Sequence, residues 1–322
     1  MTTDVTSDAQ ELQELRCKIC GNTAGNQELL ATENMFGSEG EFRYLRCAAC
    51  GVLHIVDVPQ DLARFYPADQ YYSVYPKAEG FKRWLVDKRD RGYVGTSLAG
   101  SWLRRSHPNV GLAATLLAVP DRGKRVLDVG CGGGTLLRTL ARLGFEHVDG
   151  VDPLLSRSIV DDGVRLMAGE LASVTGYYDV VMFHHSLEHI PAQVQVLAEA
   201  RQRLAPGGVV LVCIPTCDST AFDVYREKWV QLDAPRHLFL HSHRSIGLVA
   251  AAAGLVVEKL DCNSQPVQFW ASEMHRDGLP LVSPERGKYK KRHARFHREL
   301  AGWLHQRLRG DQIEVHLRTK AA

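Results

Sequence analysis

Histidines and carboxylates stand at the ends of apolar runs in this 322-residue chain, where their side chains could carry acid–base chemistry. Four of them directly follow the apolar run 179–183, namely His184, His185, Glu188 and His189. Because histidine titrates near neutral pH, we expect His189 to act as a general base with Glu188 orienting it. His185 and the more distant His237 are the alternative bases. In a second interpretation, Glu188 and His189 only cap the next helix and line a cofactor pocket.

A glycine-rich turn flanked by carboxylates indicates the ligand that these histidines would serve. The segment 125–134, RVLDVGCGGG, is typical of a buried strand and a tight turn into a helix, which begins a doubly wound α/β fold. Asp128 stands two residues before the first glycine, where a carboxylate repels a pyrophosphate but attracts an ammonium group. Asp152 ends the next predicted strand and is placed to accept hydrogen bonds from ribose hydroxyls. An ammonium group and a ribose without phosphates describe S-adenosylmethionine.

The motif LDVGCGGG followed by GVDP is similar to that of the class I S-adenosylmethionine-dependent methyltransferases, and LAPGG at 204–208 matches that family as well. The resemblance implies a Rossmann-like, doubly wound seven-stranded sheet whose last strand, at 312–317, is antiparallel. It also implies a set of cofactor contacts at the carboxyl ends of the first four strands. These residues are Asp128, Gly130, Cys131, Gly132, Gly134, Asp152, Pro153, Glu170 and His184.

The Glu188–His189 pair resembles the EH pair of ubiquinone-pathway O-methyltransferases, sugar C-methyltransferases and a small-RNA 2′-O-methyltransferase. In some of these relatives a glutamate three residues before the EH glutamate helps to bind a divalent ion. His185 stands at that place here. This departure disfavours Mg²⁺ at the site, and a different ion at a His–Glu–His site is the alternative to base chemistry.

Four of the eight cysteines form two CxxCG motifs separated by 26 residues, and they are Cys17, Cys20, Cys47 and Cys50. Each CxxC turn can direct two thiolates at one ion, and four thiolates make a closed structural zinc site. About 60 residues bury little core by themselves, so we expect the Zn²⁺ to fold a small N-terminal zinc ribbon. His54 is expected at the surface, because four cysteines already fill the site.

The predicted organisation is a zinc-ribbon module at 1–60, an aromatic and helical linker or lid at 61–124, and a methyltransferase domain at 125–322. Within the linker, Tyr71 and Tyr72 are candidates for contact with the methyl acceptor, or their rings pack the ribbon onto the main domain. Arg236 is a third candidate, since its planar guanidinium can bind an anion. Alternatively, Arg236 pairs with Asp233.

A basic helical insertion is predicted at 276–308, because residues 276–322 hold 12 Lys or Arg and 5 Asp or Glu. It is either an ordinary surface helix or a site for a phosphorylated acceptor, an anionic membrane surface or an RNA backbone. The net charge of +2 predicts no partner by itself, and DNA is not expected. Without a signal-peptide pattern or a membrane-spanning apolar run, we expect a cytoplasmic protein.

The CxxC ribbon, the tyrosine-rich stretch and the methyltransferase motifs together resemble bacterial methyltransferases of sugar and cell-surface polysaccharide pathways. That resemblance implies O-methylation of a small polar acceptor, a sugar or nucleotide-sugar hydroxyl, with a histidine base. A zinc-ribbon RNA methyltransferase and a sugar C-methyltransferase are the alternatives. A non-enzymatic cofactor-binding scaffold is disfavoured, because a scaffold does not need Asp128, Asp152 and the EH pair.

Overall fold

The computed structural model describes residues 15–66, 80–106, 109–119 and 121–320, which form two β-sheets flanked by helices. The strands are β1 Gln27–Thr32, β2 Glu41–Arg46, β3 Leu53–Ile55, β4 Arg125–Val129, β5 His147–Asp152, β6 Ile159–Asp161, β7 Val164–Ala168, β8 Tyr178–His184, β9 Leu204–Pro215, β10 Phe239–Leu240, β11 Leu255–Asn263 and β12 Gln312–Thr319. The helices are α1 Gly80–Arg91, α2 Leu98–Ser106, α3 Val110–Ala118, α4 Thr135–Arg142, α5 Gln193–Gln202, α6 Thr220–Tyr225, α7 His243–Ala252, α8 Val267–Arg276, α9 Arg286–Lys291 and α10 Ala294–His305.

The large sheet has the order β11-β12-β9-β8-β4-β5-β7-β6. Strands β7, β5, β4, β8 and β9 run parallel, while β12 is antiparallel to both of its neighbours. The predicted Rossmann-like α/β fold and its antiparallel last strand are confirmed. The described sheet has eight strands instead of seven, because the short strand β6 forms an antiparallel hairpin with β7.

The position of the functional site follows from this strand order. Strand β4 pairs with β5 on one side and with β8 on the other. The chain therefore builds the sheet first on the β5 side of β4 and later, from β8 onward, on the opposite side. A crevice opens at such a switch point, outside the carboxyl ends of the strands. The core of the sheet is apolar on both faces, since Val181 on one face of β8 and Met182 on the other are both buried. The sheet therefore holds the residues that follow β4 and β8 on a rigid edge.

The small sheet joins the cysteine-bearing module to the rest of the chain. Its order is β1-β2-β3-β10, and β10 comes from the segment after His237. Tyr44 on β2 donates a hydrogen bond from its hydroxyl to the carbonyl of His237 at 2.9 Å. On β3, His54 is fully buried and its Nε2 accepts from the backbone N–H of Lys18 at 3.3 Å. The surface prediction for His54 is therefore wrong, and burial lowers its pKa to about 4.

The four predicted metal ligands converge at one end of the small sheet. The ligand atoms of Cys17, Cys20, Cys47 and Cys50 all lie within 4.8 Å of one another. The Cys17–Cys50 and Cys20–Cys47 sulfur pairs are 3.6 and 3.5 Å apart. These separations are too long for disulfide bonds and are close to the edge of about 3.8 Å expected for four sulfurs around one tetrahedral zinc ion. In the described part of the chain, no helix has the length and apolar character to cross a membrane.

Because β10 closes the small sheet, loss of a cysteine ligand should loosen the chain next to His237. We expect the wild-type protein to hold about one zinc ion per chain, and Cys47→Ser to lose it. In the variant, amide hydrogen exchange should rise at 229–242 but not at 125–134. Cys262→Ser is the matched control, since this buried cysteine lies outside the cluster. A zinc-free wild type, or unchanged exchange at 229–242, would contradict this account.

Candidate active site

The glycine turn after β4 forms the floor of the crevice. Gly130 has a φ of 76°, and a Cβ there would lie 2.4 Å from the Cβ of Ser186. Only glycine allows this close approach between the turn and the segment after β8. Ser186 in turn donates from its hydroxyl to the carbonyl of Val129. The segments that follow the parallel strands β4 and β8 thus contact each other at Gly130, with no side chain of that residue between them.

Two carboxylates flank this turn and have different surroundings. Asp128 is buried, and one of its carboxylate oxygens has no hydrogen-bond partner in the described residues. Burial, together with the carboxylate of Asp152, raises the pKa of Asp128 well above its usual value. A cationic ligand group beside Asp128 would reverse this effect and supply the missing partner.

Asp152 has a role that sequence reasoning missed, because it holds the turn in place. Its two carboxylate oxygens accept from the backbone N–H groups of Gly132 at 2.7 Å and Leu154 at 2.8 Å. Its carbonyl accepts from Gly169, which brings the loop after β7 to the same edge. Pro153 follows Asp152 in the chain and Glu170 follows Gly169, so both exposed residues lie at the rim of the crevice. The side chain of Cys131 is half-buried against Gly150 of β5.

His184 closes the crevice on the side of α3. Its ring packs on Gly111, where a Cβ would lie 2.1 Å from Nε2. Burial lowers the pKa of His184 to about 3, so the ring is neutral near pH 7. The Gly111 contact carries no signal in the sequence, since it depends on how α3 crosses the sheet.

His185 has a left-handed backbone, with a φ of 55°. This conformation is unfavourable for a residue with a Cβ and is held by a hydrogen bond from its N–H to the carbonyl of Cys213 at 2.9 Å. It turns the ring so that Nδ1 lies 3.4 Å from Oε1 of Glu188. His185 and Glu188 therefore form a base and carboxylate pair at the edge of the sheet.

Glu188 is the centre of a buried cluster that includes His189 and His237. It is fully buried, and both of its carboxylate oxygens lack hydrogen-bond partners in the described residues. Burial alone would raise the pKa of Glu188, but His185, His189 and His237 together lower it to about 2. The Nε2 atom of His237 is 4.0 Å from Oε1 of Glu188. Candidate ligand atoms of Glu188, His189 and His237 lie within 4.8 Å of one another.

The rings of His189 and His237 are held by the surrounding chain. Nδ1 of His189 lies 2.9 Å from the carbonyl of Arg236 and 3.2 Å from the hydroxyl of Tyr66, and its Nε2 is buried without a partner in the described residues. Nδ1 of His237 lies 2.7 Å from the carbonyl of Gln231. Burial lowers the pKa of His237 to about 4.

Arg236 lies in an ionic cluster away from solvent. Its guanidinium donates to the carboxylates of Asp233 and Glu33 and, at 2.9 Å, to the carbonyl of Phe65. The side chain is fully buried. The prediction that Arg236 binds an anionic acceptor is therefore not supported by its position, and its alternative pairing with Asp233 is present. Tyr71 and Tyr72 lie outside the described residues.

A cavity of about 330 Å³ opens next to His185. It is lined by Arg89, Asn109, Gly111, His184, His185, Cys213, Gln265, Gln312, Ile313 and Glu314. Arg89 is the only Lys or Arg in this lining, and its charge is neutralised because it pairs with buried Asp90 at 2.7 Å. Gln312 and Glu314 were not predicted from the sequence, although their alternate positions in the last strand could have identified them. The antiparallel β12 begins at this edge of the sheet, and alternate residues of a strand share one face.

The basic segment after β11 forms α9 and α10, and these helices lie between β11 and the last strand. Ala301 and Leu304 of α10 are buried, which agrees with a surface helix packed on the core. None of the cavity-lining residues belongs to α9 or α10.

Residues 102–260 match a family model described as a methyltransferase domain. The ubiquinone biosynthesis O-methyltransferase of Aeromonas salmonicida is 41% identical over 102 residues, which are 28% of this chain and 42% of that protein. The enzyme of the same name from Psychrobacter cryohalolentis is 30% identical over 142 residues, 40% of this chain and 49% of that protein. The matches thus span less than half the length of these curated relatives.

Two solved structures are similar at low sequence identity. Magnesium protoporphyrin IX methyltransferase of Synechocystis is 16% identical, with a TM-score of 0.38, over 63% of this chain and 87% of that one. The CcbJ methyltransferase of Streptomyces caelestis is 15% identical, with a TM-score of 0.40, over 81% and 96%. Residues 102–260, which match the methyltransferase family model, contain the parallel strands of the Rossmann-like α/β sheet.

Proposed function

We propose that this chain is an S-adenosylmethionine-dependent O-methyltransferase that acts on a hydroxyl of a small polar acceptor. One observation carries the proposal. Asp128, a buried carboxylate with one oxygen that has no partner among the described residues, lies at the switch point of the sheet, and the nearby polar cavity is lined by His185, whose Nδ1 lies 3.4 Å from Glu188. A cation site and a base next to each other suit methyl transfer from a sulfonium to a hydroxyl.

The residues around the glycine turn would hold the cofactor. Asp128 would accept from its ammonium group, and Asp152 has further lone pairs for ribose hydroxyls besides those used by Gly132 and Leu154. Glu170 lies on the rim, where the adenine would fit. Bound S-adenosylmethionine supplies an electrophilic methyl group. The chain contributes orientation, since in-line displacement depends on the alignment of the two reactants.

We assign the general base to His185 instead of His189. His185 lines the cavity, whereas Nδ1 of His189 faces Arg236 and Tyr66 and its Nε2 is buried outside the cavity lining. As the acceptor hydroxyl attacks, its proton would pass to the imidazole of His185. The ionised Glu188 would stabilise the resulting imidazolium, in the same way as an orienting carboxylate beside a catalytic histidine.

The cavity lining favours a neutral acceptor that forms many hydrogen bonds. Asn109, Gln265 and Gln312 offer amides, Glu314 offers a carboxylate, and Arg89 is already paired with Asp90. This lining supports a sugar hydroxyl as the acceptor and disfavours an anionic acceptor. The names of the curated relatives favour a hydroxyl of a ubiquinone precursor instead. A panel of both acceptor classes would decide between them.

A divalent ion at the Glu188, His189 and His237 cluster is the second candidate. The two carboxylate oxygens of Glu188 and Nε2 of His189 favour it, since these buried atoms have no hydrogen-bond partner among the described residues. Two imidazoles and one carboxylate suit a transition metal better than Mg²⁺. Such an ion would supply Lewis-acid chemistry next to His185, which lines the cavity and approaches Glu188. The four-cysteine site would hold a structural Zn²⁺ in either case.

Replacing the buried carboxylate should test the cofactor assignment. Asp128→Asn removes the charge that faces the ammonium group, so we expect the affinity for S-adenosylmethionine to fall by about 10- to 100-fold. Isothermal titration calorimetry measures this, with NAD as a ligand that should not bind. Asp161→Asn, an exposed carboxylate on β6, is the control and should bind normally. Equal affinity in Asp128→Asn, or tight binding of NAD, would overturn the assignment.

The assignment of the base predicts a difference between two adjacent histidine variants. His185→Ala should lower kcat by about 10²–10⁴-fold while leaving the cofactor affinity unchanged. The effect of His189→Ala on kcat should be smaller. Single-turnover methylation of the acceptor found in the panel measures both. If His189→Ala loses turnover and His185→Ala keeps it, the base is His189 and our assignment is wrong.

The metal alternative has a readout that does not depend on turnover. Titration with Mn²⁺, followed by electron paramagnetic resonance, should show one bound ion if the cluster is a metal site. His237→Gln would then abolish that binding, while His243→Gln, a half-exposed histidine outside the cluster, would keep it. Mn²⁺ binding that is the same in wild type and His237→Gln would exclude this site.

A further inference from the structure

The hairpin of α1 and α2, residues 80–106, carries side chains that the proposed methyl transfer does not use. It exposes four large apolar side chains, Phe81 (72% exposed), Trp84 (52%), Leu98 (93%) and Trp102 (70%). The rings of Phe81 and Trp84 stack on each other, with their centroids 5.6 Å apart. Trp229 and Trp270, by contrast, are buried. Apolar side chains in such number on one short hairpin indicate a binding surface.

The same hairpin is strongly basic. It holds seven Lys or Arg and two Asp, a net charge of +5, whereas the whole chain has +2. Asp90 pairs with Arg89, and Asp87 pairs with Arg91, both at 2.7 Å. The remaining cations have no carboxylate of a described residue within salt-bridge distance, and they are Lys82, Arg83, Lys88, Arg104 and Arg105.

The hairpin is a fixed wall of the acceptor cavity. Gly92 and Gly100 let the two helices touch, since a Cβ on Gly100 would lie 1.8 Å from the carbonyl oxygen of Lys88. The hydroxyl of Tyr93 accepts from the N–H of Asn109 at 2.8 Å and ties the hairpin to α3. Arg89 lines the cavity from the inner side. The four apolar side chains, Lys82, Arg83 and Arg105 are exposed to solvent, while Lys88 and Arg104 are partly buried.

We propose that the α1–α2 hairpin docks on the surface of an anionic lipid bilayer. Tryptophan and phenylalanine rings favour the boundary between headgroups and acyl chains, and lysine and arginine favour the anionic headgroups. Both groups occur together on this hairpin. Docking would bring a wall of the acceptor cavity next to the bilayer. The proposal does not depend on the methyl-transfer chemistry.

A second copy of the chain is a weaker candidate for this surface. In a symmetric dimer the same patch faces itself, so the five cations would oppose their own copies. Like charges in a desolvated interface are unfavourable. An anionic bilayer instead matches both the charge and the apolar side chains.

Sedimentation with vesicles tests the proposal. The full-length protein should bind vesicles of phosphatidylcholine mixed with phosphatidylglycerol, and bind phosphatidylcholine alone weakly. Binding should fall by roughly tenfold or more in Lys82→Glu/Arg83→Glu, and it should weaken as the salt concentration rises. Trp84→Ala/Trp102→Ala should also lose roughly tenfold, because the interfacial aromatic contacts are removed.

Trp303→Ala is the matched control, since Trp303 is a 49%-exposed tryptophan on another basic helix, α10. It should bind vesicles like the wild type, and circular dichroism should show that every variant is folded. Equal binding to neutral and anionic vesicles, no binding, or an equal loss in Trp303→Ala would overturn the proposal. So would light scattering that shows a dimer in the wild type and a monomer in Trp84→Ala/Trp102→Ala.

Discussion

The burial of the Glu188 carboxylate constrains much of the structure around it. It is excluded from solvent, and an ionised carboxylate in such a place is very unfavourable unless charge or hydrogen bonds compensate it. The rings of His185, His189 and His237 supply the compensation and keep its pKa low. Each ring must therefore stay close to the carboxylate. The left-handed backbone of His185 is one cost of that arrangement.

The cysteine-bearing module takes part in holding this cluster. The carbonyl of Glu188 accepts from the N–H of Leu238 at 2.8 Å, and the carbonyl of Leu238 accepts from the N–H of Ile55 at 3.0 Å. A continuous backbone path thus joins the centre of the cluster to β3 of the small sheet. The buried Arg236–Glu33 ion pair joins the same two regions through side chains. We therefore interpret the module as a support for the acceptor side of the site, while the cofactor side depends on the large sheet.

Local patterns predicted the parts of the site that local geometry controls. The strand, glycine turn and helix at 125–142, and the paired CxxC turns, each require particular residues within a few positions, so the sequence alone identifies them. The burial of the other site residues depends on packing between distant parts of the chain. The burial of Arg236 depends on Glu33, which is 203 residues away, and the burial of His54 depends on β10. The choice between His185 and His189 depends on which ring faces the cavity, and no sequence pattern encodes that.

The central claim is that one crevice holds the methyl donor at Asp128 and directs its sulfur toward the cavity of His185. A crystal structure with S-adenosylhomocysteine and a bound acceptor tests it most directly. The account predicts the amino group of the ligand at Asp128, its ribose at Asp152, and an acceptor oxygen between the sulfur and His185. A ligand sulfur that faces away from this cavity, or an acceptor bound at a site without His185, would contradict it.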